Sequence, residues 1–251
     1  MKASRYLELP APAGAGLACV WRHELAAGAG EPYEQRVVPD GCVDLIWWSR
    51  DARIQVAGPD TGPMLARLDP GDRLIGVRFR PGMAAPILGV PADAVRDARP
   101  PLRDLWGPEA DRLGEALASA GDPAQVLTRA VLRRSTESEP ADPIVQPLLR
   151  DLAGRPVSEA ADALGLGERQ LRRRVLAAFG YGPKTVQRVL RFQKALGLAY
   201  AGRPLADVAY ATGYSDQAHL AHEVRELAGA PLTALLEKAA SLERAADLTP
   251  V

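Results

Sequence analysis

The chain has 251 residues, enough for one or two domains with buried cores of their own. Its 47% hydrophobic and 25% charged residues are those of an ordinary folded chain, and no apolar run reaches the roughly 20 residues of a membrane span, so no membrane partner is expected. Thirty-one bases balance thirty-one acids, so overall charge alone makes no case for nucleic acid, and Cys19 and Cys42 stand in no metal-like spacing.

Lys2 and Arg5 are followed by no continuous apolar segment, so no signal peptide is read and a cytoplasmic location with reduced thiols is expected. The first hundred residues are short apolar or alternating runs, which predict strands over 18–25, 33–38, 44–48, 54–57, 64–68 and 74–80. Turn signals separate them, among them Pro39-Asp40-Gly41, Gly58-Pro59-Asp60 and Asp69-Pro70-Gly71-Asp72. Strands this short and this evenly spaced predict a small barrel or sandwich. Trp47 and Trp48 are consecutive, so they point to opposite faces; they are the candidate ligand-lining residues of this half. Cys42 sits beside Asp40 and Asp44, carboxylates that raise a thiol pKa, so it reads as a packing residue. His23 is the one histidine here, too few for a metal-dependent enzyme of barrel type, and no cofactor or metal is expected.

From Pro81 onward the pattern turns helical. A short helix is expected over 83–88 and a turn over 104–107. Helices follow over 108–119, 123–134 and 143–152, each with Pro in or near its first turn. Residues 135–140 are polar and predict a linker.

The segments 157–180 and 204–229 repeat one plan: a short helix, a Gly, and a second helix opening with polar residues. This is the pattern of a helix-turn-helix, whose tight turn calls for positive φ at Gly165 and at Gly213, 48 residues later. A long helix over 184–200 joins them. In the first unit the second helix spans 168–179, with Leu171, Val175 and Phe179 as its buried stripe and no side-chain cap at Gly167. Arg169, Gln170, Arg172 and Arg173 then face outward, and Arg174 is either a phosphate contact or an internal pair. The second unit's helix spans 216–227, capped by Ser215 or Asp216, with Leu220, Val224 and Leu227 buried and Gln217, Ala218, His219 and His222 on other faces. Residues 155–201 hold nine bases against three acids, a net +6, whereas 202–238 hold three against five, a net −2. A phosphate-binding surface is therefore expected on the first unit and not on the second. Lys184, Arg188 and Arg191 on the joining helix are expected to be free for phosphate.

Over residues 157–236 the chain resembles the DNA-binding domain of AraC/XylS-type transcriptional regulators. The resemblance is carried by Leu171-Arg172-Arg173-Arg174-Val175, Phe179-Gly180-Tyr181-Gly182-Pro183, Leu190-Arg191-Phe192-Gln193-Lys194-Ala195-Leu196, Val208-Ala209, Gly213-Tyr214-Ser215-Asp216-Gln217-Ala218-His219-Leu220 and Gly229-Ala230-Pro231. His222 stands where that family usually has Arg. The segments around Asp40-Gly41-Cys42, Gly58-Pro59-Asp60-Thr61 and Arg78-Phe79-Arg80-Pro81-Gly82 resemble a β-rich, cupin-like domain that often precedes it and has no assigned chemistry.

The expected fold is α+β: a β-rich sensor or dimerisation domain over 1–104, linker helices over 105–153, an all-α double helix-turn-helix domain over 154–238 and a tail over 239–251 that forms a short helix or frays. The resemblance implies a DNA-binding transcriptional regulator and not an enzyme, with double-stranded DNA as partner. A small-molecule effector, a second copy of the chain and, for an activator, RNA polymerase are further partners of such a protein. The alternative is an enzyme or small-molecule-binding protein whose helical half is structural. The DNA-contacting set is Arg169, Gln170, Arg172, Arg173, Arg174, Lys184, Arg188, Gln217, Ala218, His219 and His222.

Overall fold

A computed structural model describes residues 4–237. Lys2, residue 238 of the DNA-binding segment and the tail over 239–251, with its expected short helix, lie outside the described residues.

The N-terminal half is antiparallel throughout. Strands β1 (Ser4–Pro10), β2 (Leu17–Leu25), β4 (Val43–Trp48), β5 (Ile54–Ala57) and β7 (Arg73–Phe79) form one sheet in the order β1-β2-β7-β4-β5. Strands β3 (Tyr33–Val37) and β6 (Met64–Leu68) pair apart as a two-stranded sheet. Side chains alternate across the larger sheet, so it has two cores. One face carries Leu45, Trp47, Val56, Val77 and Phe79 against helical residues such as Leu88, Leu102, Leu117 and Leu127. The other carries Cys19, Trp21 and Leu74 against Leu68 and Tyr33 of the small sheet. The indole of Trp21 lies over Gly76, its partner in register, where any Cβ would sit 2.1 Å from the ring; Nε1 then reaches the next strand and donates to Asp44 at 2.7 Å.

All six predicted strands are present, and β1 is an addition. It is an edge strand, largely exposed, and it ends at a proline, so no apolar alternation marks it. After the sheet come α1 (Ala85–Leu88), a 3₁₀ turn (Ala92–Val95), α2 (Arg103–Trp106), α3 (Pro108–Ser119) and α4 (Pro123–Glu137). The expected turn at 104–107 is therefore a helical turn, closed by Gly107 at φ 59°. Helix α4 runs on through Glu137, with the Ser135 and Thr136 hydroxyls turned back onto carbonyls of their own helix, and it takes up the first half of the expected linker.

The rest is helical: α5 (Val145–Leu152), α6 (Val157–Ala163), α7 (Glu168–Phe179), α8 (Pro183–Tyr200), α9 (Leu205–Ala211) and α10 (Gln217–Ala228), with 232–237 helical as well. Helix α5, expected among the linker helices, packs its Val145, Leu148 and Leu152 with Leu171, Val175 and Phe179 of α7 and with Val186 and Val189 of α8. The other end of α8 enters a separate core through Phe192, Ala195 and Leu196, which meet Val208, Leu220, Val224 and Leu227. So α8 is the shared wall of two helical units. Tyr200, the last residue of α8, is half exposed.

Candidate nucleic-acid interface

Each helical unit turns on a glycine in the left-handed region, Gly165 at φ 63° between α6 and α7, and Gly213 at φ 75° between α9 and α10. A side chain would strain both positions. The second helix of each unit then presents one buried and one open face. On α7, Leu171 and Val175 are fully buried and no side chain caps the first turn after Gly167. Arg169, Gln170, Arg172 and Arg173 are exposed, and among the described residues none of these three arginines has an ion-pair partner. Lys184 is likewise exposed, in the first turn of α8.

On α10 the cap is Asp216, which accepts from the backbone N–H of His219 at 2.7 Å. Leu220 and Val224 are fully buried, while Gln217, Ala218 and His222 are exposed. His219 is half-buried. Its Nδ1 lies 3.1 Å from the Ser215 hydroxyl and accepts from the Ser215 N–H at 3.3 Å, and its ring stands edge-on to Tyr214 at 5.2 Å. That nitrogen therefore closes the turn, which leaves Nε2 as its outward group. His222 Nε2 faces Glu226 at 3.2 Å, one helical turn on.

Arg188 and Arg191, expected to be free for phosphate, are engaged inside the chain, and Arg174 takes the internal pair that was one of its two expected roles. Arg174 forms a two-pronged pair with Asp142, from the segment before α5. That bond holds the Asp142 carboxyl below its ordinary range. Arg188 donates to Glu223 at 2.9 Å and also reaches Glu226. Arg191 lies 3.5 Å from Glu223 and stacks its guanidinium 4.4 Å above the Tyr214 ring. Burial pushes the Glu223 carboxyl up, but the Arg188 bond together with the charges of Arg188 and Arg191 outweighs it, and the group lies below its ordinary range. The sequence shows Glu223 and Glu226 as acids on α10; it gives no sign that α8 supplies their partners, 35 and 38 residues earlier.

In the N-terminal half, Trp47 and Trp48 do point to opposite faces. Trp47 lies in the helix-covered core, and Trp48 packs beside the small sheet with the Arg53 guanidinium 4.9 Å above its ring. Neither lines a cleft of about 580 Å³ between α3 and α4 or one of about 610 Å³ where α1 and α4 meet Ala177 of α7. Burial, and then the Asp40 carboxylate, push the Cys42 thiol far above its ordinary value, the environment of an inert thiol. Among the described residues no three His, Cys, Asp or Glu side chains cluster to hold a metal, and no helix is long and apolar enough to cross a membrane.

A family described as a helix-turn-helix domain matches residues 160–238, and one described as a domain of unknown function (DUF6597) matches residues 15–101. No curated protein matches the chain. Among solved structures the chain is similar to ToxT from Vibrio cholerae O395, at 8% identity and a TM-score of 0.45 over 94% of this chain and 98% of that one. It is also similar to wild-type ToxT from strain SCE256 with an unsaturated fatty acid bound, at 10% identity and a TM-score of 0.42 over 82% and 94% of the two chains.

Proposed function

We propose, on the premise that residues 160–238 are an AraC-type helix-turn-helix domain, that this chain is a sequence-specific regulator of transcription that lays α7 and α10 into successive major-groove segments of one DNA duplex. The observation that carries this reading is the open face of α7. Arg169, Gln170, Arg172 and Arg173 are exposed, the three arginines with no ion-pair partner among the described residues, while the opposite stripe is buried and fixes which way they point. Arginine's fork matches O6 and N7 of guanine, and a glutamine amide matches N6 and N7 of adenine. Helix α10 offers Gln217 and Ala218 at its open end, where Gln217 suits adenine and Ala218 a thymine methyl. Lys184 adds a phosphate contact that positions without specifying.

The N-terminal domain then senses an effector or joins two copies of the chain, and an activator of this kind would also meet RNA polymerase. We place the boundary between the two halves in the segment after α4 and before α5, because α5 packs with α7 and α8. Selection of bound duplexes from a random pool, followed by titration against salt, tests the reading. The expected outcome is an enriched motif whose affinity falls steeply as salt rises. A pool without enrichment, bound equally at low and high salt, would return the chain to the rival reading of a small-molecule-binding protein or enzyme with a structural helical half.

A further inference from the structure

Two of the turns between strands, Pro39-Asp40-Gly41 and Gly58-Pro59-Asp60, also touch the helical units. The Pro39 carbonyl accepts from Gln193 Nε2, midway along α8, at 2.6 Å. Gly41 lies beside the buried Tyr181, and Gly82 lies against Val145 and the ring of Phe179. Pro59 and the Ala92 carbonyl close on Gly180, and Pro63 closes on Gly229, so that a Cβ at either glycine would come within 3 Å of a proline ring.

Gly180 and Gly229 hold equivalent places, the left-handed C-caps of α7 and α10. The last carbonyls of a helix lack intrahelical partners and carry the negative end of its dipole. Here an arginine of the N-terminal domain meets each of them. Arg96 Nη1 donates to the Gly180 carbonyl at 3.0 Å, and Arg36 Nη1 donates to the Ala228 carbonyl at 3.0 Å. The opposite ends of both helices, with Arg169, Gln170, Gln217 and Ala218, stay exposed. The contact therefore grips the two helices from behind and leaves their outward faces open.

We propose that the N-terminal domain is a docking platform that fixes α7 and α10 relative to each other, through Arg96 on one helix end, Arg36 on the other and Pro39 on the wall between them. The proposal rests on the reading that both helices engage one duplex. Two binding elements held at the right spacing act as one, because the ordering cost is met before DNA arrives. Without the platform the two units are joined through α8 alone, and each would engage with more freedom to lose. Arg36 and Arg96 are thus positioning residues, which act on DNA only through the helices they hold.

The test uses the full chain with Arg36→Ala and Arg96→Ala combined, the matching Arg→Lys pair, and Gln193→Ala as an independent probe of the same seam. Each is titrated on the selected duplex and on a duplex truncated to the segment bound by α7. The expected result for the alanine pair is a loss of about tenfold on the full duplex, within the usual range of coupling between sites, with the truncated duplex bound as by wild type. The lysine pair, which keeps a donor and a charge at each carbonyl, restores most of the loss, and Gln193→Ala reproduces it in smaller measure. Hydrogen exchange of the amides of Gly180, Tyr181 and Gly182 and of Gly229 and Ala230, faster in the alanine pair, reports undocking without DNA. Equal losses on both duplexes would show that the arginines contact phosphate and would overturn the proposal. Faster exchange with unchanged affinity on the full duplex would overturn it as well. Failure of the wild-type chain to bind any duplex would instead remove the DNA reading, and exchange would still report whether the platform docks.

Discussion

Arg188 on α8 donates through Nε to Glu223 on α10 at 2.9 Å, across the seam where the two helical units meet. The same guanidinium reaches Glu226, and Arg191 approaches the same Glu223 oxygen at 3.5 Å. Positive charge counted to the first unit is therefore spent on the second. We expect Arg188→Ala to lower stability by about 1–3 kcal/mol, because Glu223 is buried apart from a small edge and loses its closest donor. The dependence of log affinity on log salt should stay as in wild type, since no phosphate contact is lost. Converting Glu223 and Glu226 to Gln should act the other way and steepen the salt dependence, because two guanidinium groups are released. Denaturant unfolding and salt titration of the three proteins check this together. A shallower slope in Arg188→Ala would make it a phosphate contact after all.

Arg172→Ala and Arg173→Ala should behave differently from Arg188→Ala. Both side chains are exposed, without ion-pair partners among the described residues, so stability should hardly change. Affinity for the selected duplex should fall by about 1–3 kcal/mol for each one that reads a base. Titration at roughly 150 mM salt is the measurement, a salt level at which unspecific attraction is already screened. Full affinity in the double variant would withdraw α7 as the reading helix.

Leu220 is fully buried between α10 and the far end of α8. Leu220→Ala should cost about 2–5 kcal/mol through the cavity it leaves. The core around α5 and α7 is separate, so the loss should appear first in the amides of α9 and α10 in hydrogen exchange, with α7 protected as before. Equal loss of protection in both units would mean that they unfold as one body.

How these residues could be read from the chain differs by case. The 3.6-residue periodicity around Leu171, Val175, Leu220 and Val224 stated both the helices and their phase, and Gly165 and Gly213 stated the turns, because a turn of that tightness leaves few other choices. The six strands were legible for the same local reason. Strand β1 was not, since an exposed edge strand paired on one side needs no apolar face. The pairing of β3 with β6 apart from the larger sheet was equally invisible, because register between distant strands leaves no local mark. The site divides along the same line. Exposure of Arg172 and Arg173 follows from phase within one helix. The fate of Arg174 and Arg188 depends on Asp142, Glu223 and Glu226, which come from other elements, and a tally of charge along a segment counts residues without their partners.

His23 gives the N-terminal domain a pH dependence of its own. It is buried, with Nε2 2.9 Å from the Ser4 hydroxyl and its ring edge-on to Tyr6 and Tyr33 at 5.6 Å. Burial lowers its pKa below the ordinary 6.5, so the unfolded chain takes up a proton more readily than the folded one. Stability is then fully present above about pH 6.5 and falls as pH drops toward the folded value. His23→Gln should remove this part of the acid sensitivity. The thermal midpoint of wild type minus that of the variant, followed from about pH 7 to about pH 5, should decline steadily. A constant difference would mean that the imidazole titrates alike in both states.

The last expectation concerns His222, which stands on the open face of α10 where the resembling family usually has Arg. Arginine offers a forked, permanently charged contact, whereas a neutral imidazole offers one donor. From the sequence alone His222→Arg should tighten binding. The structure changes that expectation, because Glu226 lies 3.2 Å from Nε2 at the i, i+4 position and already accepts from Arg188. An arginine at 222 would compete for that carboxylate and spend its charge there. We therefore expect His222→Arg alone to change affinity by less than about threefold. Combined with Glu226→Gln it should tighten binding markedly, and most at low salt, where phosphate attraction is strongest. Glu226→Gln alone separates the share due to release of Arg188. Titration of the four proteins on the selected duplex at two salt concentrations decides the matter. If His222→Arg weakens binding in both backgrounds and blurs the selected motif at the α10 half-site, then the imidazole itself reads a base, and α10 carries more of the specificity than its charge suggests.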